Sequence, residues 1–176
     1  MNISEHISLK EATRSNTAKR LGIDNFPDND TLVSMKITAE HIFEHMRNHF
    51  SEPIYITSFY RSPELNKAIG GSTRSQHCLG EAIDIDDVYS KASNADFFNY
   101  IKNKLEFDQL IWEFGNDENP DWVHVSYNLG KNRMRILKAI KENGRTKYIN
   151  ITNELSNYFK SAKSTFNEKI KATSAF

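Results

Sequence analysis

Residues 109–127 read QLIWEFGNDENPDWVHVSY. Two apolar and aromatic runs, Gln109 to Phe114 and Trp122 to Tyr127, flank the polar loop GNDENPD. Gly, Asn, Asp and Pro at that density mark a chain reversal between two strands. Strands joined so closely pair antiparallel. In the second strand the side chains alternate, so His124 and Ser126 face one way and Val123 and Val125 the other.

Further strands lie on either side of this pair. GEAIDID (residues 80–86) alternates small or apolar with acidic residues, as a half-buried strand does. PIYITSFY (residues 53–60) is rich in β-branched and aromatic residues. Met134 to Ile140 and Thr146 to Ile151 are placed to pair across Asn143-Gly144, a favoured two-residue hairpin turn. The helices precede most of these strands. One begins near Ser8, which stands at capping-box spacing from Glu11, and stops near Gly22. A second runs from Thr31 to Phe50, with Leu32, Met35, Ala39, Ile42, Phe43, Met46 and Phe50 as its apolar stripe. Ser62 caps a short helix with Pro63 in its first turn, ended by Gly70 and Gly71. Asn94 to Leu105 forms the last. Helices first, then strands with one helix interposed, predicts an α+β domain: a mostly antiparallel sheet with helices packed on one side. Residues 1–150 form this domain. Residues 151–176 are expected to be a polar, helical C-terminal tail.

Composition narrows the function. With 176 residues the chain is long enough for one domain with a sizeable core. Lys+Arg and Asp+Glu both number 23, so no global basic field exists to hold nucleic acid, and no polybasic segment points to a membrane. No apolar run reaches spanning length. The single cysteine, Cys78, leaves no intrachain disulfide. The start, MNISEHISLKEATRSNTAKRLG, lacks the apolar core of an export signal. A monomer made in the cytoplasm is expected.

His77, Asp84 and His124 form a candidate metal clamp. Two imidazoles and a carboxylate suit zinc, which in hydrolases takes three protein ligands and keeps a place for water. A lone histidine is more often a packed or surface residue, and His6, His41, His45 and His49 are read that way. Cys78 is read as a small buried hydrophobe pointing away from His77. Asp86 and Asp87 face solvent, or one of them supports a ligand imidazole. Tyr60, Trp112 and Trp122 are candidate walls of a substrate groove. Glu113 lies on the strand paired with that of His124, where its carboxylate can reach the same face.

Ser75, His77, Gly80, Ala82 and Asp84 spell S-x-H-x-x-G-x-A-x-D, followed by a later histidine in NPDWVHVSY and preceded by an arginine in ITSFYRSPELN. From Ser8 to Tyr127 this resembles the zinc D-Ala-D-Ala peptidases (peptidase M15), which share a fold with the hedgehog signalling domain. Phe59 stands where glycine is common. The resemblance implies a zinc metallopeptidase in which His77, Asp84 and His124 bind Zn2+ and Arg61 stabilises the oxyanion. It also implies that Ser75 helps hold substrate and that an acid three residues before the last ligand, here Asp121, is the general base. Glu113 is the rival base. The expected substrate is a stem or cross-bridge peptide of bacterial peptidoglycan. The expected agent is a phage endolysin-type or virion-associated lysis enzyme that reaches the wall after release from the cell. Alternatives are a D-Ala-D-Ala dipeptidase or carboxypeptidase, and a non-catalytic zinc-binding virion module.

Overall fold

The computed structural model describes residues 1–152, so the expected tail lies almost wholly outside the described residues. The N-terminal half is helical: α1 (Leu9–Ala12), α2 (Asn16–Leu21), α3 (Asn29–Thr38), a π-helical turn (Ala39–Phe43) and α4 (Glu44–Phe50). Next come β1 (Tyr55–Ser58), α5 (Pro63–Ala68), a 3-10 turn (Gln76–Leu79), β2 (Ala82–Asp86) and α6 (Asn94–Lys104). The chain closes with β3 (Gln109–Glu113), β4 (Trp122–Ser126), β5 (Arg135–Glu142) and β6 (Arg145–Asn150).

Two details differ from the sequence expectation. The first helix is two, because the Ser15 hydroxyl accepts a hydrogen bond from Ala18 N (3.1 Å) and caps a new turn. Within the long helix, Glu44 N–H bonds to Ala39 O, five residues back, and widens one turn. The apolar stripe survives that widening: Met35, Ala39, Ile42, Phe43 and Met46 are all buried.

The six strands form one sheet in the order β1-β2-β4-β3-β5-β6. Every neighbouring pair is antiparallel except β3 and β5, which run parallel. The architecture is therefore α+β with a mostly antiparallel sheet. The β5–β6 hairpin turns at Asn143 (φ 52°) and Gly144 (φ 74°), the left-handed pair that a tight hairpin requires.

The two faces of the sheet do different work. One face carries Ile56, Ile83, Ile85, Leu110, Val123, Val125 and Ile136, which join Met35, Ile42, Met46, Phe97 and Ile101 of the helices in a single core. At roughly 25 cal/mol per Å2 of apolar surface removed from water, this face supplies most of the folding drive. The opposite face, at the alternate positions, bears Asp84, His124 and Glu113. No helix among the described residues is long and apolar enough to cross a membrane.

Candidate active site

Strand register assembles the site. Asp84 of β2 stands directly opposite His124 of β4, and His124 opposite Ile111 of β3. His77 arrives from the 3-10 turn. That turn ends at Gly80 (φ 68°), where an added Cβ would lie 2.6 Å from Met35 Cγ and 2.8 Å from Thr31 O of α3. Glycine is therefore required twice over, by its backbone angle and by the close approach of a helix. The turn is also tied down from the side: Gln76 Nε2 donates to Asp108 Oδ2 (2.9 Å), and Gln109 Nε2 donates to Gln76 Oε1 (3.1 Å).

The three side chains converge. His77 Nε2 lies 3.2 Å from Asp84 Oδ2 and 3.2 Å from His124 Nδ1, and His124 Nδ1 lies 2.8 Å from Asp84 Oδ1. Donor atoms at the corners of a tetrahedron with bonds of about 2.0–2.1 Å stand about 3.3 Å apart, so this spacing fits a zinc ion. The protonation pattern fits as well. His77 is 2 % exposed, and its Nδ1 is 2.7 Å from the carbonyl oxygen of Phe59. A carbonyl only accepts, so Nδ1 carries the proton and the lone pair of Nε2 faces the other two donors. Burial pushes the His77 pKa down despite the pull of Asp84, which favours the neutral imidazole that a metal needs. Burial alone would raise Asp84, but the two histidines beside it, His77 foremost, hold its carboxyl far below the usual range. His77, Asp84 and His124 can thus hold a divalent ion.

Two further groups flank the triad. Arg61 follows β1, and its Nη2 is 3.4 Å from Asp84 Oδ2, while its Nε is buried without a partner among the described residues. It does not cap α5; the Ser62 hydroxyl does, accepting from Leu65 N at 3.3 Å. Glu113 is 6 % exposed at the end of β3. Burial, reinforced by Asp84, pushes its carboxyl up to about 7, against the opposing pull of His124, Arg61 and Lys141.

The peptidase M15 profile matches residues 5–126. The chain belongs to the peptidase M15 family. No curated protein matches it. This M15 peptidase is a hydrolase, and the matched span covers the triad, Arg61 and Glu113 but ends before β5.

The other site candidates of the M15 peptidase fall in different places. Asp121 is not brought to the cleft. Its N–H bonds to Glu113 O (2.9 Å) and its carbonyl accepts from Asn94 Nδ2 (3.1 Å), while its side chain is exposed. It lies in the bend just before β4 and is not among the residues that line the cleft. Glu113 does share the face of His124, because it pairs with Trp122. Ser75, Tyr60 and Trp122 all line the cleft, although Tyr60 also belongs to the core. Trp112 is a correction: it lies on the core face against Phe98, with ring centroids 5.2 Å apart. So are Asp86 and Asp87, which hold the start of α6 through the Asn94 side chain (3.1 Å) and backbone N (2.9 Å), not a ligand imidazole. Cys78 sits in the 3-10 turn rather than an extended segment.

The cleft above the triad measures about 1160 Å3. Its lining carries six cations (Arg14, Arg61, Arg74, Arg133, Arg135 and Lys141) against two carboxylates, Asp84 and Glu113. The whole chain is neutral, so the positive field is concentrated here. Residue order alone does not bring Arg133, Arg135, Lys141 or Tyr148 to the cleft, because they reach it through the parallel placement of β5 beside β3.

Proposed function

We propose that the protein is a zinc-dependent endopeptidase of bacterial peptidoglycan, of the endolysin or virion-associated lysis type, that cuts stem or cross-bridge peptides. The observation that carries this reading is the convergence of His77, Asp84 and His124 on one point in a cleft that also holds the buried carboxyl of Glu113. When bound, zinc supplies a coordinated water of pKa about 7 and polarises the peptide carbonyl.

The chain's own groups do the rest. Glu113 Oε takes a proton from the attacking water and returns it to the leaving amine nitrogen. A carboxyl near 7 is matched to that exchange at neutral pH. Arg61 offers its unpartnered Nε–H and its charge to the carbonyl oxygen as negative charge grows there. The cations along the cleft suit a substrate with free carboxylates, which wall peptides carry. The cleft volume of about 1160 Å3 exceeds that of most small-molecule sites, roughly 300–1000 Å3, and so favours a long peptide over a free dipeptide.

The test is mass spectrometry of purified peptidoglycan after digestion by the zinc-loaded protein, beside a chelated control and a separate D-Ala-D-Ala assay. New amino termini in wall fragments, absent with chelator, are expected. Unchanged sacculi with zinc present would overturn the reading, and cleavage of the dipeptide alone would move it to the dipeptidase branch.

A further inference from the structure

We propose that Tyr148 is a catalytic residue of this peptidase, its phenol donating a hydrogen bond to the carbonyl oxygen of the scissile peptide. The proposal rests on the peptidase reading above and extends it to a strand beyond the matched span, which ends at residue 126.

Register places the ring. Glu113 of β3 pairs with Ala139 of β5, and Ala139 pairs with Tyr148 of β6, so the three form one row on the site face. Two strand spacings, about 10 Å, separate the Cα atoms at the ends of that row. The residue between them is Ala139, whose single methyl is the smallest side chain that could stand in that row. Thr146 and Tyr148 line the cleft, whereas Lys147 and Ile149, on the other side of the strand, do not. The phenol is held protonated by desolvation and by the nearby charges of Glu113 and Asp84, with Arg61 pulling the other way. The ring lines the same cleft as Arg61, Asp84 and Glu113.

The fold has no evident use for it there. Tyr148 is 53 % exposed on an edge strand whose every residue is exposed, and it joins neither hydrophobic cluster. Among the described residues its hydroxyl has no hydrogen-bond partner. A large aromatic with an unspent donor, poised over a charged cleft floor, is placed for a ligand. Arg61 approaches the carbonyl oxygen from the β1 side, and Tyr148 approaches from the β6 side. Two donors on one developing oxyanion are the arrangement that acyl chemistry rewards.

Tyr148→Phe removes only the oxygen, and Tyr148→Ala removes the ring as well. With zinc-loaded protein and a soluble stem peptide, Tyr148→Phe should lower kcat by about 10–100-fold, the range for loss of one oxyanion donor in a partly wet site. KM should stay within about twofold, and zinc content should be unchanged, because the interaction forms in the transition state. Tyr148→Ala should lower kcat at least as far. Full kcat in Tyr148→Phe overturns the proposal and leaves the peptidase reading standing. A rise in KM with kcat unchanged also overturns it, since that marks a wall for the peptide and not a donor to the oxyanion. Wild-type protein that binds zinc but cuts no wall peptide overturns the peptidase reading, and the role of Tyr148 falls with it.

Discussion

Replacing Glu113 by glutamine should stabilise the protein and disable it together, and the size of the gain follows from the site. The carboxyl is 6 % exposed and its pKa is raised from 4.5 to about 7. A raised carboxyl favours the folded state fully only below its unfolded pKa, and that advantage is lost as pH climbs through the folded value. Above pH 7 the folded protein therefore bears the cost of a buried, ionised Glu113. At 1.36 kcal/mol per pH unit, the span from 4.5 to about 7 sets a ceiling of about 3 kcal/mol. Glutamine also needs hydrogen bonds in that place, which brings the expected gain to about 1–2 kcal/mol. At about 2–4 °C per kcal/mol for a chain of this size, chelated Glu113→Gln should melt roughly 2–8 °C above wild type at pH 8.5. At pH 5 the two should agree to within about 2 °C, because Glu113 is then mostly protonated. The assay is a thermal melt of both proteins in chelator at both pH values. Zinc-loaded Glu113→Gln should meanwhile lose at least about 100-fold in kcat. Equal melting of the two proteins at pH 8.5 would refute the buried-charge argument, and retained kcat would refute Glu113 as the base.

Three further outcomes are expected. Asp121→Asn should keep wild-type kcat on wall peptides, since its exposed side chain is not part of the cleft lining; a loss beyond about tenfold would return the base to Asp121. Gly80→Ala should cost about 2–4 kcal/mol in denaturant unfolding, because its Cβ would meet Met35 Cγ at 2.6 Å and its φ of 68° disfavours any side chain; a cost under about 0.5 kcal/mol would contradict that packing. Zinc at 100 times its Kd should stabilise the chelated protein by about 2.7 kcal/mol, seen as a melting rise of about 5–11 °C, and His124→Ala should abolish the rise.

Much of this molecule was readable from residue order. The alternation in residues 122–126 placed His124 and Val123 on opposite faces, and the structure does the same. Asn143-Gly144 announced its hairpin, since few other dipeptides accept two left-handed angles. The triad of His77, Asp84 and His124 was expected from the resemblance of S-x-H-x-x-G-x-A-x-D and the later histidine to the zinc D-Ala-D-Ala peptidases; spacing alone did not single it out. What stayed hidden depended on distant or backbone partners. The Phe59 carbonyl that fixes the His77 tautomer leaves no mark in a side-chain pattern. The choice between Asp121 and Glu113 hung on the Glu113–Trp122 pairing, which the loop between them sets. The parallel pairing of β5 with β3 followed from the route of residues 127–134, and with it came the basic wall and Tyr148. Strand alternation fixed only which face a residue takes, not which strand lies next door.

The pairing of β2 with β4 places Ile83 opposite Val125 and Asp84 opposite His124 in consecutive rungs. Sliding one strand past the other by a single residue would trade every oily rung for a metal-seeking one. Misthreaded copies would then be both unstable and inert, with no half-working intermediate. Whatever clears chains misthreaded at this pair of strands therefore also clears copies whose triad never came together.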